Sequence, residues 1–287
     1  MQASHGYELV DFGGGARLER FGDRLVDRPH PGALGERQAP SAWAEAELRF
    51  DRDRGWTGTV AVDRPWSIEV LGMTLELRAT EAGQVGLFPE HLAMLPWLRD
   101  RIRERASTGA AGGRAAPAVL HVFAYTGVTT LALAASGAGV THVDSARPTV
   151  AWARRNAQAS GLADRPIRWI VDDAPAFARR EARRGRRYDG LVLDPPTYGH
   201  GPAGRAWQLA DHLPGLLDTC AALLEPDGFI LLTAHTPGLD GDRLASLLAR
   251  VRPRSSGSIE PGDLFVETGN GRRLELGAFA RWAAGAS

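Results

Sequence analysis

The sequence predicts an α/β chain in which a mostly parallel, doubly wound sheet closes on an antiparallel hairpin, preceded by a small mostly-β region. Three observations carry this expectation. From about residue 118 onward, apolar runs of about five residues alternate with helical patterns, the signature of βαβ units. Near the end, apolar segments 264–268 and 273–276 flank Gly269-Asn270-Gly271, whose Asn-Gly pair favours a tight reversal. Before residue 85 the rhythm is period-two alternation broken by glycine turns.

In chain order, segments 7–12 and 16–21 alternate in character across Gly13-Gly14-Gly15 and read as a hairpin. A polar, proline-containing stretch follows from Pro29 to Pro40. Alternating runs resume at 56–62 and at 66–78, the second broken at Gly72 where the strand folds back. Residues 1–85 thus form a small β-rich N-terminal region, and 86–287 a larger domain. That larger domain is expected to hold a helix over 92–105, a small-residue loop over 106–117, and strands at 118–122, 140–143, 167–171, 190–193 and 229–233. A chain of 287 residues accommodates one large domain and one appendage.

Composition excludes several classes. No apolar run approaches the roughly 18 residues of a membrane span, and the first residues lack the basic start and apolar stretch of an export signal. A cytoplasmic protein is expected. The single cysteine, Cys220, forms no internal disulfide or multi-cysteine zinc centre, and no metal site is expected. It shares a helical stripe with Leu213, Leu216, Leu217 and Leu224, the spacing of a buried face. Net charge is zero, and all 34 basic residues are arginines. Two arginine clusters, 99–105 and 179–187, fall at helix ends leading into strands, on the side opposite the expected ligand, and read as solvated surface.

In a doubly wound sheet the ligand lies outside the carboxyl ends of the strands, closest to the turn after the first. That turn is Phe123-Ala124-Tyr125-Thr126-Gly127. It offers one glycine where a dinucleotide pyrophosphate needs Gly-x-Gly-x-x-Gly, so a nicotinamide dehydrogenase is disfavoured. The second strand ends at Asp144-Ser145, where a carboxylate can accept ribose hydroxyls, and the third at Asp172-Asp173-Ala174, where one can face an adenine amine. Each acid alone also fits a helix N-cap. The fourth strand ends at Asp194-Pro195-Pro196-Thr197-Tyr198, which also fits a rigid Pro-Pro turn.

These segments, 120–127, 141–144 and 193–198, resemble the bacterial large-subunit (23S) rRNA methyltransferases of the class I S-adenosylmethionine-dependent group. The likeness covers about residues 85–282, with 86–90 similar to the family's cofactor-flanking segment and 7–22 to the β preface of some members. It implies a Rossmann-like class I methyltransferase domain and S-adenosyl-L-methionine as cofactor. Phe123, Ala124, Tyr125, Thr126 and Gly127 would line the methionine moiety, Asp144 with Ser145 the ribose, and Asp173 with Ala174 the adenine. His121 departs from the family's usual Asn, Asp or Glu and fits either a cofactor contact or a packed strand residue.

Motifs of the Asp194-Pro195 kind hold a planar nitrogen against the acid and a proline carbonyl, with an aromatic, here Tyr198, stacked on the ring. Methyl transfer to nitrogen asks mainly for in-line positioning and exclusion of water. Carbon methylation of cytosine would use a thiolate, for which Cys220 is badly placed. The expectation is therefore an enzyme that methylates a ribosomal RNA base, at nitrogen in preference to cytosine carbon. Alternatives are methylation of a small aromatic or heteroaromatic metabolite, or a non-enzymatic RNA-binding protein with a relic cofactor site. The loop 199–205 keeps only Arg205 where relatives often carry lysine, and Arg17, Arg20 and Arg24 could add RNA-binding surface.

Overall fold

The computed structural model describes residues 6–107, 116–200, 206–251 and 257–285. The loop expected at 106–117 and Arg205 lie wholly or largely outside them. Two compact units emerge. One comprises the chain up to Glu90 with Gln158–Gly161 and Phe265–Leu276; the other comprises His91–Ala157, Leu162–Leu264 and the chain from Gly277. The two later segments of the first unit were expected in the larger domain. Packing draws them in: Leu274, Leu276 and Val266 share a core with Leu9, Phe12 and Ala33, and the Ser160 hydroxyl donates to the Thr74 carbonyl at 2.9 Å.

In the first unit, β1 (Tyr7–Gly13), β2 (Ala16–Phe21), β3 (Arg24–Pro29), β4 (Leu48–Asp51) and β5 (Gly55–Gly58) form a sheet in chain order, antiparallel except for β3 with β4. A short helix α1 (Pro40–Ala44) precedes β4, and β6 (Trp66–Val70) pairs with β7 (Met73–Leu77) through the Gly72 reversal. Sequence periodicity missed β3, in which the charged Arg28 points inward. Glu19 is fully buried, and Arg28 donates to its carboxylate through Nε at 2.8 Å and Nη2 at 2.5 Å. Burial favours the neutral acid, but Arg17, Arg28 and hydrogen bonds from Arg28 and Tyr7 outweigh it and lower the Glu19 carboxyl. Arg17, expected as surface, is 7% exposed and lies 3.3 Å from Glu19, while Arg20 and Arg24 pair with Glu8 and Glu47. Asp11 is buried and accepts from the Trp43 indole, the amides of Gln38 and Ala39, and Arg272.

In the second unit a 3-10 turn (Pro89–Met94) leads into α2 (Leu95–Ser107), then β8 (Ala118–Val122), α3 (Val128–Ala135), β9 (Gly139–Asp144), α4 (Arg147–Ala159), β10 (Ile167–Val171), α5 (Ala174–Arg183) and β11 (Tyr188–Leu193). A small hairpin, β12 (Tyr198–His200) with β13 (Ala206–Gln208), precedes α6 (Leu209–Ala221), β14 (Leu224–Ala234), α7 (Gly241–Val251), β15 (Ile259–Glu267) and β16 (Arg273–Ala283). The strand order is β10-β9-β8-β11-β14-β16-β15, with β16 antiparallel to β14 and the other registered pairs parallel. The expected Rossmann-like topology with a closing antiparallel hairpin is present.

The core between the sheet and α5, α6 and α7 takes Leu120 and Val122 from β8, Leu191 and Leu193 from β11, and Phe177, Leu213, Leu217 and Leu244 from the helices. Cys220 belongs to it at 1% exposure, as its helical stripe predicted. At Gly190 a Cβ would lie 2.1 Å from the Phe229 ring, so β11 and β14 lock only around a glycine. Arg105 departs from the solvated reading of its cluster. It is buried and donates to Asp189 at 2.7 Å and to Asp227, while Asp189 also accepts from the Ala118 amide at 2.8 Å. The end of α2 is thereby tied to the starts of β8 and β11. No helix among the described residues is long and apolar enough to cross a membrane.

Candidate functional site

The winding reverses between β8 and β11, and the carboxyl ends of β8, β9, β10 and β11 converge beside that point. The turn after β8 is strained: Phe123 has φ +58°, Tyr125 +49° and Gly127 +88°. Left-handed conformations of non-glycine residues cost about 1–3 kcal/mol each and persist where surrounding groups enforce them. Those groups are present. The Ala124 amide donates to the Val143 carbonyl at 3.1 Å, the Tyr125 amide to Asp144 Oδ2 at 2.9 Å, and Asn156 Nδ2 to the Thr126 carbonyl at 3.0 Å. At Gly127 a Cβ would sit 3.0 Å from the Ala153 Cβ, so both its φ and the approach of α4 demand glycine.

Asp144 ends β9. Its Oδ1 accepts the Ala146 amide at 2.9 Å, and burial raises its carboxyl above the ordinary value despite the two amide bonds. A carboxylate offers about four lone-pair positions, which leaves capacity for a diol. Asp173 is the N-cap of α5, accepting the Ala176 amide at 2.9 Å, while Asp172 pairs with Arg180. A cavity of about 50 Å³ brings together Phe123, Asp144, Ser145, Asp173 and Ala174, walled also by Pro196 and Trp207. Ala124 and Thr126 are buried and do not line it, and the Tyr125 ring packs on Trp152.

Trp207 escaped sequence reasoning, because nothing in its local pattern marks it. The structure seats it, 8% exposed, with its ring 5.1 Å from that of Phe123 and its Nε1 donating to the Pro196 carbonyl at 2.7 Å. Two aromatic walls and the acids Asp144, Asp172 and Asp173 around one cavity suit a purine nucleoside, so the residues present fit the cofactor that the sequence resemblance implies. The cavity is well below the roughly 300–1,000 Å³ of complete ligand sites, and so accounts for one part of such a molecule.

His121 lies on the other face of β8, 4% exposed, with Nδ1 2.8 Å from the Thr130 hydroxyl; the same hydroxyl is 2.9 Å from Nδ1 of His142. One hydroxyl proton cannot serve both rings, so at least one of the two histidines carries its own proton on Nδ1 and donates to Thr130 Oγ1. Burial pushes the His121 imidazole down to about 3, against the pull of Asp194, and burial likewise holds the His142 imidazole well below its ordinary value. Both are neutral packed residues at physiological pH.

Asp194 follows β11. Its Oδ1 accepts from the Thr233 hydroxyl at 2.5 Å and lies 3.3 Å from His235 Nε2 and 3.7 Å from His91 Nε2. Burial would raise this carboxyl, but the two imidazoles and the hydrogen bonds from His235 and Thr233 prevail and hold it well below the usual range. It is therefore an acceptor in neutral solution. His91 and His235 carried no sequence signal, since 144 positions separate them. Pro195 is buried, and Tyr198 is 74% exposed. The Cys220 thiol, pushed up to about 12 by burial, is inert.

A cavity of about 630 Å³ lies elsewhere, at the amino ends of β9, β10 and β11, and is lined by Arg165, Arg168, Arg186 and Arg187. It shares no residue with the convergent carboxyl ends, where loops and acids gather; those ends are the site that fits the chemistry.

No model of a known protein family matches the chain. It is 29% identical over 167 residues to ribosomal RNA large subunit methyltransferase K/L of Magnetococcus marinus, covering 57% of this chain and 21% of that protein. To the protein of the same name from Methylococcus capsulatus it is 34% identical over 119 residues, covering 40% of this chain and 16% of the relative. The chain thus matches about a fifth or less of the length of these curated relatives. The crystal structure of the SAM-dependent methyltransferase from Agrobacterium tumefaciens superposes with a TM-score of 0.90 at 34% identity, over 99% of this chain and 92% of that one. With the strand order, the strained turn and the acids at successive strand ends in place, the chain belongs to the S-adenosylmethionine-dependent methyltransferases.

Proposed function

We propose that this enzyme methylates a base of ribosomal RNA, at a nitrogen, in the cytoplasm. The curated relatives bear the name of ribosomal RNA methyltransferases, and the observation that carries the chemical part is Asp194, held ionised at the end of β11. A carboxylate there accepts a hydrogen bond from an N–H of a planar acceptor and orients its nitrogen toward the incoming methyl group. Pro195 lends its carbonyl to the same task. Tyr198, whose ring is largely exposed in the free protein, provides the stacking platform that splayed-out RNA bases use.

S-adenosyl-L-methionine, when bound, supplies the methyl group from its sulfonium. Asp144 and Ser145 take the ribose, Asp173 and Ala174 the adenine, and the turn from Phe123 through Ala124, Tyr125 and Thr126 to Gly127 takes the methionine end. Trp207 and Phe123 exclude water from between them. A thiolate route to cytosine carbon is disfavoured because the one cysteine is buried in the core.

The test is mass spectrometry of rRNA nucleosides from a strain lacking the gene. One methylated nucleoside should disappear, return with the wild-type gene, and stay absent with Asp194→Ala. An unchanged nucleoside profile sinks the proposal. Zero net charge favours one second reading, a small aromatic acceptor. RNA affinity that stays weak even at low salt would select it, because phosphate contacts impose a steep salt slope.

A further inference from the structure

Three side chains from distant parts of the second unit converge on one point: His91 from the 3-10 turn, Asp194 from the end of β11 and His235 from the end of β14. Each offers one ligand atom to the cluster. His91 Nε2 and His235 Nε2 stand 3.1 Å apart, and Asp194 Oδ1 lies 3.3 Å from the second and 3.7 Å from the first. Protons serve this triangle only in part: a hydrogen bond from His235 reaches Asp194, while His91 Nε2 stands 3.1 Å from the same ring nitrogen. With one proton between the two facing nitrogens, a ring lone pair points toward an anionic oxygen. With a proton on each, two N–H groups confront each other.

A single divalent cation at the centre satisfies all three atoms at once. Ligands about 2.0–2.1 Å from a tetrahedral metal stand about 3.3–3.4 Å from one another, and the three observed separations bracket that value. Two imidazoles with one carboxylate are a donor set of late first-row divalent metals. The cluster is also accessible, with side-chain exposures of 15%, 17% and 26% for His91, Asp194 and His235. Two of the ligands follow neighbouring strands whose register pairs Leu193 with Leu232, so their placement is rigid. Outside the triangle, the Thr233 hydroxyl donates to Asp194 Oδ1 and orients the carboxylate.

We propose that His91, Asp194 and His235 form a binding site for a divalent transition metal of the zinc class, with a fourth position open to water. The site is independent of which acceptor is methylated. A metal held there engages the carboxylate assigned to the acceptor, so metal and acceptor compete for Asp194.

The test uses the full chain without a histidine tag, stripped of metal with a chelator and titrated with cobalt chloride alone. Visible absorption reports tetrahedral cobalt, and zinc chloride should bleach it by displacement. One equivalent is expected to bind, and His91→Gln or His235→Gln should weaken binding at least about 100-fold, the upper end of what loss of an outer-shell partner costs. His212→Ala, which removes an exposed histidine outside the triangle, should leave binding unchanged. Melting curves of each variant establish that it is folded. No cobalt uptake by wild type, or uptake that persists in the folded His91→Gln, His235→Gln double variant, overturns the proposal.

Discussion

The backbone amide of Tyr125 donates to Asp144 Oδ2 at 2.9 Å, so the carboxylate assigned to the ribose also pins the strained turn assigned to the methionine end. Asp144→Ala removes both functions together. The released amide, if left without a partner, costs about 1–3 kcal/mol. Calorimetric titration with S-adenosylmethionine should show binding lost in Asp144→Ala and weakened at least about tenfold in Asp144→Asn, whose amide nitrogen cannot accept. Wild-type affinity in either variant would falsify the role given to Asp144.

The neutral His121 makes stability depend on pH. Its folded value is about 3, whereas an unfolded histidine titrates near 6.5. Between those values the unfolded chain binds a proton that the folded chain refuses, so stability is lost as pH falls below about 6.5, levelling off near 3. The slope attributable to this residue approaches about 1.4 kcal/mol per pH unit. Urea midpoints measured from neutral pH down to about 5 should fall less steeply for His121→Asn than for wild type. Parallel slopes would show that His121 is not the group responsible.

Cys220 is buried, with its thiol raised to about 12. In the native protein a thiol-specific reagent should react with it only as fast as the chain unfolds. Cys220→Ala should keep methyltransferase activity and lose on the order of 1 kcal/mol of stability through the small void. Loss of activity in a folded Cys220→Ala protein would return the thiolate route to consideration.

Gly190 marks the seam beside the switch point. Adding a methyl group drives it into the Phe229 ring, and overpacking of this kind costs about 1–3 kcal/mol or more. Gly190→Ala should lower the urea midpoint, and the double variant Gly190→Ala, Phe229→Leu should recover part of the loss. A double variant no more stable than Gly190→Ala alone would place the strain elsewhere.

Much of this architecture was legible from local pattern. The central strands are short apolar runs, and the Asn270-Gly271 reversal is a local turn preference, so both survive without tertiary information. The acids that follow β9, β10 and β11 were legible too, because a βαβ unit places every strand's carboxyl end on one side. β3 was not legible: Arg28 reads as solvated until Glu19 is found buried against it. Trp207, His91 and His235 were equally silent, because an aromatic or an imidazole acquires a role only from what stands opposite it.

The sequence by itself determined the class of fold, the position of the turn after β8 and the acid that follows β11, all of which depend on spacing along one chain segment. The tertiary structure alone decided that His121 is a neutral packed residue, that Arg105 is a buried strut on Asp189, and that His91 and His235 close around Asp194. The physical reason is common to these cases. Desolvation and charge pairing depend on distances through space between residues far apart in the chain, and periodicity carries no record of them.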